Sequence, residues 1–307
     1  MRRRLFLILI ALVLTANPVA VVSSTEIIII KSSDIIPYQK AVEGFKQNFP
    51  QGSFREYVIE EDVKDKGKTI LRGAVERGGD LIVAVGPEAA YLTGTESISI
   101  PMIFTMVSNP EKLFPEGDNA YHGVSLNLPI SLQLEQIKAA FVDRKKIGVL
   151  YTQEHNQKNL DSLVAKAFPL GLTVVGMPIS SQKEIPEFLK SGLLDIDVLL
   201  LIPDRTIGSE KILKYLIKSM LIKKIPVVGF NEWFAENGAI LSFALDYEEI
   251  GKQTAEYAQG LLRGKSSPGS LVQEPFRVRT IINLKVAQKL SVVISEDMVK
   301  NASEVIK

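Results

Sequence analysis

Six short polar stretches, each following a run of apolar residues, hold the side chains of this 307-residue chain that could serve a ligand. They are Lys31-Ser32-Ser33-Asp34, Gly86-Pro87-Glu88-Ala89, Thr105-Met106-Val107-Ser108-Asn109-Pro110, Tyr151-Thr152-Gln153-Glu154-His155-Asn156, Pro203-Asp204-Arg205-Thr206 and Phe230-Asn231-Glu232-Trp233. Together they offer hydroxyls, amides, carboxylates and large aromatic rings, a mixture that suits a small polar solute. Taken singly, each residue has a plainer use. Ser32, Ser33 and Asp34 are good helix caps ahead of Pro37, and Pro87-Glu88 is a favourable first helical turn. Asp204 could cap a helix beginning near Ser209, and Trp233 could lie in the core. Six such loops on one side of a fold argue for a site.

Catalysis finds no support. The chain has no Gly-x-Gly-x-x-Gly, no P-loop, no Gly-x-Ser-x-Gly elbow and no His-Glu-x-x-His. It has no cysteine, which removes disulfides, thiol nucleophiles and thiolate metal sites. Its two histidines, His122 and His155, stand far apart without ligand spacing, so neither a metal nor a cofactor is expected. His122 is read as a structural residue in a turn before Gly123. With Lys+Arg 36 against Asp+Glu 35, no basic surface invites nucleic acid.

The elements that position these loops follow from hydrophobic patterning. Apolar, β-branched runs at 27–30, 54–59, 80–85, 100–105, 146–151, 172–177, 197–202, 225–229 and 239–243 read as strands. Amphipathic stretches at 38–49, 65–77, 131–141, 160–168, 184–190, 209–222 and 247–263 read as helices. Continuously apolar strands separated by helices indicate doubly wound parallel α/β sheets, covered on both faces. The series restarts after residue 105, which suggests two lobes of similar size. In such sheets ligands bind beyond the carboxyl ends of the strands, where all six polar stretches fall. The N-terminus has a basic Arg2-Arg3-Arg4, about ten apolar residues from Leu5 to Leu14 and then small residues, the pattern of a secretory signal. An uncleaved signal anchor is the alternative.

Several ordered segments carry a family likeness: "IPMIFTMVSNP" (100–110), "HGVSLNLPISLQLEQIKAAF" (122–141), "KKIGVLYTQEHN" (145–156), "DVLLLIPDRTI" (197–207), "KIPVVGFNEWFAENGAILSFALDYEEIGKQTAEYAQGLLRGK" (224–265) and "RTIINLKVAQKLSVVIS" (279–295). In this order they resemble the ABC-transporter substrate-binding proteins of the tryptophan/tyrosine type, which have the type I periplasmic-binding-protein fold. The resemblance implies two lobes joined by three crossovers, near 125–127, 242–246 and 282–284. Residues 1–24 would be a signal peptide, 25–125 with 245–281 the first lobe, and 126–244 with 282–307 the second.

It also implies ligand contacts. Thr105 and Ser108 match the family's Phe-Thr-x-Val-Ser-Asp-Pro segment, Tyr151, Glu154 and Asn156 its next strand-end loop, Asp204 the loop after that, and Asp246 the aspartate after the hinge strand. Acidic side chains would hold an ammonium group. Ser32, Ser33, Gly86, Glu88, Asn231 and Trp233 complete the expected set, with Phe104, Tyr151, Phe230 and Trp233 as aromatic walls. Lys31 reads as a solvated rim charge. The chain departs from the family where Gly86 is followed by Pro87 and Glu88 in place of threonine. This removes a hydroxyl and an N–H and adds negative charge where a ligand carboxylate would sit. Asn109 replaces an aspartate, and Arg205 after Asp204 is unusual.

The expected protein is a monomeric, exported, periplasmic binder that closes on a small polar or aromatic, amino-acid-like solute and docks on a membrane permease. A sensor module reporting to a membrane receptor fits the same residues. An exported enzyme lacks motifs, and a repressor of the related fold would need an N-terminal DNA-binding motif.

Overall fold

The computed structural model describes residues 24–307 apart from 60–65, 97, 115–120, 191–194, 205 and 265–271. The targeting segment up to residue 23, and Arg205, therefore lie outside the described residues.

The first sheet opens with the isoleucine run. Strand β1 (Thr25–Lys31) leads to α1 (Ile36–Gln47), β2 (Gly52–Val58), α2 (Lys66–Glu76), β3 (Leu81–Val85), α3 (Pro87–Thr95), β4 (Met102–Val107) and β5 (His122–Ser125). The chain then builds a second sheet through α4 (Ile130–Ala140), β6 (Lys146–Tyr151), α5 (Gln153–Ala167), β7 (Thr173–Pro178), α6 (Ile185–Lys190), β8 (Val198–Leu200), α7 (Glu210–Ile222), β9 (Val227–Gly229), α8 (Glu232–Glu236) and β10 (Leu241–Leu245). Helix α9 (Tyr247–Leu262) and β11 (Val272–Gln273) return to the first sheet. Strand β12 (Val278–Asn283), α10 (Leu284–Lys289), α11 (Glu296–Asn301) and β13 (Glu304–Ile306) finish the second.

The strand orders are β11-β5-β4-β3-β1-β2 and β13-β12-β10-β9-β8-β6-β7. Every described pairing is parallel except β10 with β12. This is the expected pair of doubly wound α/β lobes.

The period of two explains the layers. Ile27 and Ile29 face Ala41, Phe45, Ile250 and Ala255 of α1 and α9, whereas Ile28 and Ile30 face Leu71, Ala89 and Leu92 of α2 and α3. Both faces are buried, so the strand has no polar position to alternate. Helices α1 and α9 approach at backbone contact. A Cβ on Gly44 would lie 2.0 Å from the Glu248 carbonyl oxygen, and one on Gly251 1.9 Å from that of Ala41.

The chain passes between lobes at 126–129, at Asp246 and at 274–277. The third passage comes earlier than the expected 282–284. Residues 278–283 pair antiparallel with β10 along their length, so this apolar strand belongs to the second sheet and not the first. His122 lies in β5 and not in a turn, with its Nδ1 2.9 Å from the Tyr257 hydroxyl. Phe104 is fully buried, tilted against Phe114 under Gly123, and so belongs to the first lobe's core rather than to a ligand wall.

Candidate functional site

On the first lobe the exits of β1, β3 and β4 are laced together. The Ala89 N–H donates to Ser32 Oγ at 2.9 Å, so Ser32 caps α3 across the chain and not the helix that follows it. Helix α1 starts after Ile35 with Pro37 in its first turn and no side-chain cap. Gly86 has φ +93°, and a Cβ there would fall 2.6 Å from Ser32 Oγ and 2.7 Å from the Tyr38 hydroxyl, so only glycine fits. Its N–H donates to the Thr105 carbonyl at 2.9 Å.

Thr105 itself is buried, and its hydroxyl lies 3.0 Å from that of Thr254 on α9, which ties the strand to its helix. Beyond it Met106 takes φ +60° at a register shift in β4 that turns Ser108 out to solvent. Asn127 Oδ1 then accepts the Asn109 N–H at 3.1 Å, joining this exit to the first interlobe passage. Ser33 is half-buried, and Glu88 and Ser108 are exposed.

Lys31 is not a rim charge. It is 7% exposed, bound to Asp34 at 2.7 Å and to Glu56 at 3.2 Å, with Lys46 also on Glu56. Burial lowers the lysine pKa, but bonds to the two carboxylates outweigh it and the net shift is upward. For Glu56, burial raises the pKa, while Lys46 and Lys31 bring it below the ordinary value. The strand that carries the first loop thus ends in an ion-pair network.

On the second lobe Asp204 joins two strand exits. Its carboxylate accepts from Thr152 N (2.8 Å), the Thr152 hydroxyl (3.0 Å), Asn156 Nδ2 (2.8 Å) and Thr206 N (2.8 Å). Burial raises its pKa, but these donors lower it further, and the group is held below the usual carboxylate range. Four accepted bonds occupy the lone pairs an ammonium would need, and the residue caps its own loop and not the helix after Ser209. Asn156 also donates to the Pro203 carbonyl. Tyr151 is buried, its hydroxyl donating to Gln157 at 3.1 Å, so the ring is part of the lobe's core. Glu154 is exposed in the first turn of α5.

Between the lobes, at the β9 exit and the β10–α9 passage, lies a cavity of about 540 Å³. It gathers Asn231, Trp233 and Asp246 from the expected set. Around them stand Phe230, Tyr247, Lys40 and Arg279, which sequence reading passed over except for Phe230. Trp233 packs edge-on against Phe234 with Lys214 over its ring. Asp246 Oδ1 accepts the Glu248 and Glu249 N–H groups, capping α9. Arg279 bonds Glu232 and, at 3.3 Å, Glu304. Tyr247 could have been found from its place next to Asp246. Arg279 fell in a stretch expected in the first lobe, with no strand foreseen there, and gave no local signal.

The thirteen expected residues thus fall into three groups: Ser32, Ser33, Gly86, Glu88, Thr105 and Ser108 on the first lobe; Tyr151, Glu154, Asn156 and Asp204 on the second; and Asn231, Trp233 and Asp246 at the cavity. Among the described residues no helix or strand carries members of both of the first two groups.

A two-lobed parallel α/β chain with polar strand exits and an interlobe cavity matches a known family model, that of the ABC transporter substrate binding protein, over residues 56–306. The chain belongs to this family. Proteins of this kind bind small solutes and work with ABC permeases. Comparison with curated proteins finds no match.

Among solved structures, this substrate-binding protein is similar to a domain in complex with L-Trp from Streptococcus pneumonia, at 23% identity and TM-score 0.58, covering 92% of this chain and 100% of that one. It is similar also to the ligand-free, open structure of CD0873, a substrate binding protein with adhesive properties from Clostridium difficile, at 23% identity and TM-score 0.74, over 92% and 99%. A periplasmic ribose ABC transporter from Conexibacter woesei matches at 12% identity and TM-score 0.56, over 88% and 96%. These likenesses establish the type I periplasmic-binding fold.

Proposed function

We propose that this substrate-binding protein is the exported, periplasmic component of an ABC importer, a monomer that captures a small polar or aromatic, amino-acid-like solute by closing its lobes. The observation that carries the reading is the interlobe cavity of about 540 Å³, lined by Lys40 of the first lobe, Phe230 and Trp233 of the second, and Asp246 and Tyr247 at the passage between them. That volume is within the range of small-molecule sites and mixes aromatic walls with a few charges. The better overlap with an open, ligand-free relative than with an L-Trp complex supports reading the present arrangement as the open form.

Closure would bring Ser33, Glu88 and Ser108 towards Glu154, Asn231 and Trp233, expelling water around the solute. Ser32, Gly86, Thr105, Tyr151, Asn156 and Asp204 act behind them, shaping the loops. Export would use residues 1–24.

The test is small-angle scattering of the mature chain, residues 25–307, with a panel of amino acids, aromatic amines, sugars and nucleosides. A saturable fall in radius of gyration with one class is expected. A profile unchanged by every solute, with no binding by calorimetry, would refute the reading. Reconstitution with a permease then separates import from receptor signalling.

A further inference from the structure

Side chains hold the ends of each passage between the lobes, and this decides where the chain is free to turn. At the first passage the Leu126 N–H donates to the Val107 carbonyl, and Asn127 Oδ1 accepts the Asn109 N–H, so the first lobe grips the chain as far as Asn127. Gln133 of α4 takes the next carbonyl, that of Leu128, at 3.1 Å for the second lobe. At the second passage β10 pairs with β12 as far as Leu245, and Asp246 at once caps α9. The third passage, 274–277, lies between β11 of the first sheet and β12 of the second and belongs to neither. Gln253 shortens it. This residue of α9 is 6% exposed and spends both ends of its amide on the passage. Its Nε2 donates to the Glu274 carbonyl at 2.9 Å and to Gln273 Oε1 at 3.1 Å, and its Oε1 accepts the Phe276 N–H at 2.9 Å. Phe276 is itself 67% exposed, so burial of its ring does not explain the hold.

We infer that Gln253 is a positioning residue for lobe movement: it clamps 274–276 to the first lobe, confines rotation at the third passage to Arg277, and so limits the swing of the lobes. The second sheet takes over at Val278, which pairs with Leu245. That register sets Arg277 beside Asp246, so the second and third passages turn at neighbouring points and act as one hinge. The exposed Arg277 guanidinium reaches Glu249 at 3.5 Å, a contact too solvated to hold the lobes. A hinge absorbs its rotation in a few backbone dihedrals, and loss of the clamp would free residues 274–276 as well.

The chain has no cysteine, so spin labels can be placed cleanly at Tyr91→Cys on α3 and Lys158→Cys on α5, both exposed and on different lobes. Interlobe distances are then measured by pulsed electron resonance in residues 25–307 without solute. Gln253→Met should broaden the distribution about 1.5-fold, because the reach of a free segment grows with the square root of its length while the other passages still hold. The control is Gln259→Met on the same helix, which loses a 2.8 Å bond to the Asn48 carbonyl inside the first lobe. It should lower the melting point and leave the width unchanged. A folded Q253M protein with native width would overturn the inference, as would equal broadening in Q259M. Should Q253M not fold, hydrogen exchange of the native chain decides. The Phe276 amide must be protected despite its exposed side chain, and exchange at the rate of an open peptide would overturn the clamp. Neither readout needs a solute, so failure to bind any would refute the import reading without altering these outcomes.

Discussion

Asp204 shows how a residue marked for a ligand can be used up by its own fold. It sits where an ammonium anchor was expected, yet Thr152, Asn156 and Thr206 deliver four donors to it. Removing the charge by Asp204→Asn weakens bonds to partly buried donors and should cost about 2 kcal/mol at pH 7, read by denaturant unfolding. Because the folded pKa lies below the unfolded one, this stabilisation is present above the ordinary aspartate value and lost as pH falls through the folded value. The gap between native and D204N midpoints should therefore close on acidification; a constant gap down to about pH 2 would count against the account.

Lys31 is the opposite case, a charge expected in solvent and found buried. Lys31→Met should cost only about 1 kcal/mol by denaturant unfolding, since Glu56 keeps Lys46 and Asp34 returns to solvent. Local sequence shows what a residue could donate or accept. It does not show which partner arrives from 52 positions away, and so the type of each polar residue was readable while its employment was not.

At the scale of elements, the pairing of α1 with α9 depends on two glycines that let backbones touch. Gly44→Ala or Gly251→Ala must push the helices apart, since the obstructing atoms are main-chain carbonyls, and a loss of about 2 kcal/mol or more is expected. Gly73 in α2 and Gly260 in α9 meet nothing within 4 Å. Alanine there should stabilise by about 0.5–1 kcal/mol through the unfolded chain and helix propensity. The four melting curves separate contact from propensity, and similar behaviour at all four sites would refute the distinction.

Elements were legible in proportion to their length and burial. The isoleucine run declares itself because both of its faces are covered, and the longer helices through their amphipathic period. Strand β5, four residues long, and β11, only two, are too short to set a period. Residues 278–283 have strand character, but nothing in their own pattern tells which sheet they join. Pairing with β10 decides that, and it is a long-range property.

At the scale of the molecule, a ligand that binds only the folded, closing form must stabilise it. At 100 times its dissociation constant the gain is about 2.7 kcal/mol. For a chain of this size that corresponds to a rise in Tm of several degrees, measurable by thermal shift. Trp233→Ala should remove most of that rise while leaving the unliganded melting point within a few degrees, because the ring is only partly buried at the cavity wall. A retained shift would place the solute elsewhere between the lobes. The two-lobe plan and the strand-end location of polar loops were readable from periodicity. The cavity was not, because it forms where separate lobes and a passage meet, from residues as distant as Lys40 and Arg279.

The interleaving of the two sheets also has a consequence in time. The first sheet takes its edge strand β11 from residues 272–273, and the second takes β12 and β13 from residues 278–283 and 304–306. Neither lobe can therefore be completed while the ribosome is still making the middle of the chain. Both sheets are completed only by strands within residues 272–306, so the two lobes finish together at the end of synthesis.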